Sequence, residues 1–226
     1  IMVSTGVVAI DATILATAVP AVVADVGGFA QFPWLFSIYL LTQSVTVPVY
    51  AKLSDTVGRK RIVLFGLALF LLASVLCGFA WDMPSLIAFR ALQGVGAGAM
   101  LPVTTTIIGD IYTVEERARV QGYVASVWGV AAVAGPTLGG VFAGLGMWRG
   151  IFFINVPLCL LAIAVTVVKV RESHDPRAGR PDWVGFVVFS VALGSLVYGL
   201  IEAGQRSWSD TLVVACLAAA AVLLVV

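Results

Sequence analysis

Residues 62–80, IVLFGLALFLLASVLCGFA, run for nineteen positions without a charged side chain. As an α-helix rising 1.5 Å per residue the run is about 28 Å long, close to the ~30 Å hydrocarbon core of a bilayer, and it predicts a membrane-crossing helix. Barrel strands would alternate apolar and polar residues in segments of about ten, which this run does not. Arg59, Lys60 and Arg61 precede it, and Trp81 and Asp82 follow it.

Applied outward, with cuts at clusters of charge, Pro or Gly, the same rule gives eight candidate spans at 1–24, 33–51, 62–80, 85–108, 120–143, 150–168, 183–201 and 211–226. The expected fold class is therefore an all-α polytopic membrane protein. Of the 226 residues 61% are hydrophobic and 11% charged, against about 25% charged in an average soluble protein. Mean hydropathy is +1.06. Too few polar side chains remain to cover a soluble globule. A net charge of +1 excludes a strongly basic nucleic-acid binder. Cys77, Cys159 and Cys216 all fall in apolar runs without CxxC spacing, which predicts buried thiols and neither a disulfide framework nor a zinc site.

Ile1 opens inside an apolar run with no basic residue before it. The last run, 16 residues long, would rise only about 24 Å. The expectation is a fragment of a longer chain.

Lys and Arg are retained on the cytoplasmic side of a membrane protein. The loops after the second, fourth and sixth spans hold Lys52, Arg59, Lys60, Arg61, Arg117, Arg119, Lys169, Arg171, Arg177 and Arg180, while the other loops hold only Arg149 and Arg206. This asymmetry predicts even loops and amino terminus in the cytoplasm. The longest hydrophilic stretch, KVRESHDPRAGRP at 169–181, suggests a division into a six-span bundle (1–168), a linker (169–182) and two further spans (183–226). The lone histidine, His174, reads as a solvated linker residue.

Two charges fall inside spans: Asp11 in IDATILATAVP and Arg90 in LIAFRALQGVGAG. An ionisable group at mid-span costs about 2.5–3.5 kcal/mol on insertion scales, so it pairs, faces water, or carries a proton or ligand. If the six spans form two three-helix units, as transporter repeats do, Asp11 and Arg90 begin corresponding helices, each later carrying a proline, Pro20 or Pro102. Mutual neutralisation is the plain alternative. Counting residues from the outer ends puts the two at depths about 10 Å apart, which argues against direct pairing.

Tyr39, Gln43, Thr46 and Tyr50 share one helix face, predicting a stripe turned toward a cavity or toward a neighbouring helix. Gly94 and Gly98, like Gly135 and Gly139, are spaced four apart and offer small-residue faces for close helix approach. The GVGAGA run also fits a loose dinucleotide fingerprint, but no strand precedes it.

AKLSDTVGRKR, residues 51–61, resembles the cytoplasmic signature of the major facilitator superfamily, GxLxDxxGRRR, in Leu53, Asp55, Gly58, Arg59, Lys60 and Arg61; Ala51 and Thr56 depart from its common residues. Arg90, Gln93 and Gly94 are similar to the fourth-helix RxxQG motif. Gly122, Gly135, Pro136, Gly139 and Gly140 follow the fifth-helix antiporter motif, with Ala131 in place of its middle glycine. DATILATAVP (11–20) and WRGIFFINVP (148–157) resemble the fourteen-helix drug:proton antiporter branch, which the two spans after the linker also suit.

The resemblance implies a six-helix amino-terminal bundle of 3+3 inverted repeats plus two further spans, in the cell membrane. It implies a proton-driven multidrug exporter working by alternating access, with drugs or other lipophilic molecules and protons as its partners. No cofactor beyond the proton gradient is implied, and the substrate path lies against a carboxyl-terminal half beyond this chain. Asp11 and Arg90 take the proton-coupling positions. Asp55, Gly58, Arg59, Lys60 and Arg61 form a conformational latch. Gly122, Gly135, Pro136, Gly139 and Gly140 supply tight packing, and Tyr39, Gln43, Thr46 and Gln93 are candidates for the substrate cavity. Export of a lipid or metabolite, or a receptor on the same scaffold, are the alternatives. An enzyme is disfavoured because GxSxG, HExxH and a phosphate loop are all missing from the sequence.

Overall fold

The computed structural model describes residues 1–173 and 182–225. His174, Arg177, Arg180 and Pro181 of the expected linker lie outside the described residues. Ahead of residue 169 four long rods are unbroken: α1 (Met2–Val26), α2 (Pro33–Val57), α3 (Arg59–Gly78) and α6 (Val114–Gly144). Two spans are broken, α4 (Met83–Ala97) running on into α5 (Met100–Ile111) and α7 (Gly150–Phe153) into α8 (Asn155–Lys169). At each break a proline, Pro102 or Pro157, lacks the amide that would reach the carbonyl four residues back, at Gly98 or Phe153. α9 (Trp183–Gln205) and α10 (Thr211–Val225) follow. Seven helical segments among the described residues are long and apolar enough to cross a membrane, and Thr211–Leu224 is a shorter apolar helix. The protein is an all-α polytopic membrane protein.

The structure corrects three sequence-based boundaries. Residues 51–61 are not a loop: α2 extends to Val57 and α3 begins at Arg59, so Gly58 alone turns the chain, with φ +117°. Arg117 and Arg119 lie in the opening turns of α6, not in a loop. The fourth span runs from Met83 to Ile111 through the break at Gly98 and Ala99. One cause covers the first two. A helix of 25 or 31 residues is about 37 or 46 Å long and outreaches the hydrocarbon core, so its charged ends stay in water without leaving the helix. α6 starts with a capping box, in which Thr113 Oγ1 accepts from the Glu116 N–H and Glu116 Oε2 accepts from the Thr113 N–H.

Side chains divide the bundle into two apolar layers. One holds Val8, Tyr39, Phe70, Ala97 and Cys159, and the other holds Ile14, Leu35, Cys77, Leu86 and Phe152. On α1, α3, α4 and α8 the residues between these pairs include Asp11, Ser74, Arg90 with Gln93, and Asn155, all buried. Four helices thus bring polar side chains to one level in the middle of the bundle.

α6 lies along α1, while α4 is held between α2 and α3. α9 packs on α2, where the Trp34 and Tyr198 rings stand 5.9 Å apart, and α10 packs on α9, with Gly199 close to Cys216 and Leu217. Cys77 and Cys159 are buried, Cys216 is half-buried, and all three are free thiols.

Candidate functional site

Arg90 is 1% exposed and reaches from α4 to α1, where its Nη1 donates to Asp11 Oδ2 at 2.7 Å. The same Nη1 donates to Gln93 Oε1 at 2.6 Å, and Nε donates to the Leu35 carbonyl at 3.2 Å. Its guanidinium carbon sits 4.2 Å from the centre of the Tyr39 ring, a cation–π contact with desolvated partners. Asp11 Oδ1 accepts from Gln93 Nε2 and from Asn155 Nδ2, both at 2.9 Å. Ser74 Oγ accepts from the same two amides, at 2.7 and 3.2 Å. A buried pair survives only when its remaining donors and acceptors are met, and this network gives partners to both carboxylate oxygens and to Nη1 and Nε of the guanidinium. Tyr39 Oη and Asn155 Oδ1 are buried without a hydrogen-bond partner among the described residues.

Direct pairing of Asp11 and Arg90, unexpected from their residue depths, is what the structure shows. Counting residues compares backbone heights, whereas the guanidinium ends a long side chain. Gln93, nearly one turn further along α4, hydrogen bonds the same carboxylate and marks its level. Asn155 and Ser74 are site residues that sequence reasoning missed. Asn155 lies inside WRGIFFINVP (148–157), but an uncharged amide next to a helix break carries no periodic signal. Ser74 is one small hydroxyl in an apolar run.

Of the polar stripe on α2, Tyr39 joins the Arg90 cluster. Gln43 and Thr46 instead lie on the seam with α4, where the backbone carbonyl of Gln43 and the Thr46 hydroxyl approach Gly98. Gly94 meets Tyr39 and Thr42 in the same seam. A groove of about 510 Å³ runs between α2 and α9 beside Pro48, Lys52 and Trp183, away from Asp11. Nearer to it, a groove of about 250 Å³ between α1 and α6 is lined by Gly6, Ile10, Ser126, Val127, Val130 and Ala131.

The glycines of α6 divide into two sets. Gly135 and Gly139 are buried against Thr13, Ile14 and Thr17 of α1, too close to admit a Cβ. Thr13 Oγ1 donates to the Ala131 carbonyl at 3.0 Å and Thr17 Oγ1 to the Pro136 carbonyl at 3.2 Å, so backbone carbonyls facing α1 are met across the seam. Gly122 and Gly140, expected in the same packing role, have nothing within 4 Å of a Cβ position and take no part in that seam.

At the end of the bundle rich in Lys and Arg, Arg59 pairs with Asp55 at 3.5 Å and with Asp110 of α5. Glu172 accepts from the Lys60 backbone N–H at 3.0 Å and lies 3.6 Å from Arg61 Nε, while the Arg59 N–H donates to the Ser173 carbonyl at 2.9 Å. The Lys60 ammonium donates to the Val167 carbonyl at 2.7 Å. Arg59 thus joins Asp55 to Asp110, and Gly58, Lys60 and Arg61 meet Glu172; sequence reasoning did not select either Asp110 or Glu172. At the other end, Asp25 of α1 accepts from Trp148 Nε1 at 3.1 Å and Arg149 Nη1 at 2.6 Å, and Arg149 Nη2 donates to the Ala80 carbonyl at 3.1 Å. No group of three or more His, Cys, Asp or Glu suited to a metal ion occurs among the described residues.

A family model described as Major Facilitator Superfamily matches residues 1–226. "Multidrug resistance protein 3" of Bacillus subtilis (strain 168) is 40% identical over 200 residues, 88% of this chain and 39% of that protein. "Multidrug transporter protein MdtP" of the same organism is 37% identical, over 87% of this chain and 36% of its own length. "Efflux pump FUS6" of Gibberella fujikuroi is 32% identical, over 92% and 39% respectively. The chain spans about two fifths of the length of these relatives.

Proposed function

The chain belongs to the major facilitator superfamily, and from that premise we propose that it is the amino-terminal part of a proton-coupled exporter of drugs or other lipophilic small molecules, of the fourteen-helix antiporter branch. Family membership makes its role one of membrane transport and not of enzymatic catalysis. The observation that carries the proposal is the Asp11–Arg90 pair, fully buried and fixed by Gln93 and Asn155 at mid-bundle. A carboxylate there gains or loses a proton only by re-forming the network that ties α1, α2, α3, α4 and α8 together. Protonation and helix arrangement are thereby linked, which is what coupling requires. The names of the bacterial relatives support drugs as the substrate class.

In this reading residues 1–168 are one six-helix half, built as 3+3 inverted repeats, 169–182 link it to two additional spans at 183–226, and the amino terminus faces the cytoplasm in the cell membrane. A carboxyl-terminal half completes the substrate path, toward which Tyr39, Gln43, Thr46 and Gln93 contribute, and alternating access rocks one half against the other. Asp55, Gly58, Arg59, Lys60 and Arg61 act as a latch, and Gly135, Pro136 and Gly139 hold α6 to α1 as a tight pivot. Uptake and counterflow in vesicles containing the complete gene product, under an imposed pH gradient and with cationic and neutral substrates, test this. Proton-dependent accumulation is expected. Transport indifferent to the gradient would sink the coupling, and no transport of any drug would sink the substrate class.

A further inference from the structure

We propose that Asn155 is the positioning residue that lets Asp11 change charge inside the bundle, its side-chain amide turning over when the carboxylate takes up a proton; the inference rests on the coupling role proposed for Asp11. The geometry leaves one place for that proton. Asp11 Oδ2 lies 2.7 Å from Arg90 Nη1, and a guanidinium has no acceptor, so an O–H there would set donor against donor. The proton goes to Oδ1, which now accepts from Gln93 Nε2 and Asn155 Nδ2, both at 2.9 Å. Once Oδ1 carries hydrogen, one of these two amides must present its oxygen.

Gln93 is held as it stands. Its Oε1 accepts from Arg90 Nη1 at 2.6 Å and its Nε2 donates to Ser74 Oγ at 2.7 Å, so turning it over would set an NH₂ against the guanidinium. Asn155 can turn without losing a bond at its oxygen, because its Oδ1 has no hydrogen-bond partner among the described residues and only its Nδ2 is engaged, with Asp11 Oδ1 and Ser74 Oγ. One proton from the aqueous phase adds to Asp11 Oδ1, the N–H···O bonds from Asn155 Nδ2 to Asp11 Oδ1 and to Ser74 Oγ break, an O–H···O bond to Asn155 Oδ1 forms, and Arg90 keeps its charge. Ser74 Oγ retains the donor from Gln93. The turned NH₂ then occupies the side where the oxygen now lacks a partner. The other charged or titratable groups around Asp11 among the described residues are Arg90 on α4, Tyr39 on α2, Cys77 on α3 and Cys159 on α8. Only Arg90 is charged at neutral pH.

Infrared difference spectroscopy on the full-length transporter, labelled with carbon-13 at asparagine and stepped from alkaline to acid pH, reads the turn directly. Asn155 is the only asparagine in these 226 residues, and subtracting the spectrum of Asn155→Thr removes asparagines elsewhere in the full chain. The expected result is a carboxylic-acid band of Asp11, assigned by its loss in Asp11→Asn, rising together with a shift of the Asn155 carbonyl to lower frequency as that oxygen gains a donor. If Asn155→Thr does not fold, Asp11→Ala, which adds no labelled asparagine, serves as the reference, and there the Asn155 carbonyl must stay still. An Asp11 band that rises while the Asn155 carbonyl does not move overturns the inference and leaves the coupling role standing. No Asp11 band at any pH overturns the coupling role, and the inference with it.

Discussion

Arg90 of α4 and Asp11 of α1 are 79 residues apart in sequence and 2.7 Å apart in space, with side-chain exposures of 2% and 1%. Breaking such a pair by removing one partner leaves an uncompensated charge and costs about 3–5 kcal/mol, whereas removing both charges restores much of that loss. Asp11→Asn and Arg90→Gln are therefore each expected to lower the thermal midpoint of the purified transporter, and the double variant to recover at least half of the larger loss. A double variant less stable than either single one would count against the pairing.

Transport separates the roles of the two charges from their stability. Asp11→Asn keeps shape and removes titration, so uphill export is expected to vanish while substrate still equilibrates down its gradient; Asp11→Glu is expected to retain partial coupling. Vesicle accumulation under a pH gradient is the measurement. Wild-type accumulation with unchanged pH dependence in the Asn variant would make Asp11 a structural partner only.

On α6 the two sets of glycines predict opposite outcomes. A Cβ at Gly135 would stand 2.7 Å from Thr13 Cβ, and one at Gly139 would press on the Ile14 carbonyl and the Thr17 hydroxyl. Gly135→Leu and Gly139→Leu are expected to force α1 and α6 apart, at a cost of at least about 1–3 kcal/mol, and to block the cycle or make it leak protons. Gly140→Ala has open space before it and is expected to leave the thermal midpoint unchanged. Equal effects at Gly139 and Gly140 would contradict the α1–α6 seam.

Asp55 and Asp110 share Arg59, with carboxylate side chains 33% and 34% exposed. Partly solvated pairs are worth up to about 1 kcal/mol, so Asp55→Asn is expected to shift the balance between transporter conformations by about fivefold or less and to leave substrate affinity nearly unchanged. Distance measurements between spin labels on the two halves, alongside substrate binding, check this. Lost affinity with unshifted conformations would rule out the latch.

Asp82 caps α4, its carboxylate accepting from the Ser85 N–H at 2.8 Å, and hydrogen bonding by the Ser85 side chain and then its backbone holds the carboxyl below the usual carboxylate range. A lowered folded-state pKa contributes stability that is complete above the unfolded value and lost as pH falls through the folded one. Asp82→Ala is expected to lower the thermal midpoint at neutral pH and to converge with wild type in strong acid. A difference that persists undiminished at acid pH would show that the carboxylate charge is not what the cap uses.

What the sequence determined by itself is the part of the fold that rests on local quantities. Uncharged runs such as 62–80 are long enough to cross a bilayer, and every backbone polar group in such a run must bond within its own helix, so span existence follows without tertiary knowledge. Spaced glycines such as Gly135 and Gly139 likewise announce a close-packed face, and a lone acid or base within a span announces a site. Tertiary structure decided which groups meet. Helices on both sides of Gly58 absorbed a charged stretch that composition assigns to a loop, because a helix may outrun the membrane. Only packing could set Asn155 and Ser74 at the level of Asp11, since one uncharged polar residue in an apolar run is indistinguishable in sequence from a residue facing lipid. The same packing closed the distance between Arg90 and Asp11, through helix placement and side-chain reach that counting residues along separate helices does not contain.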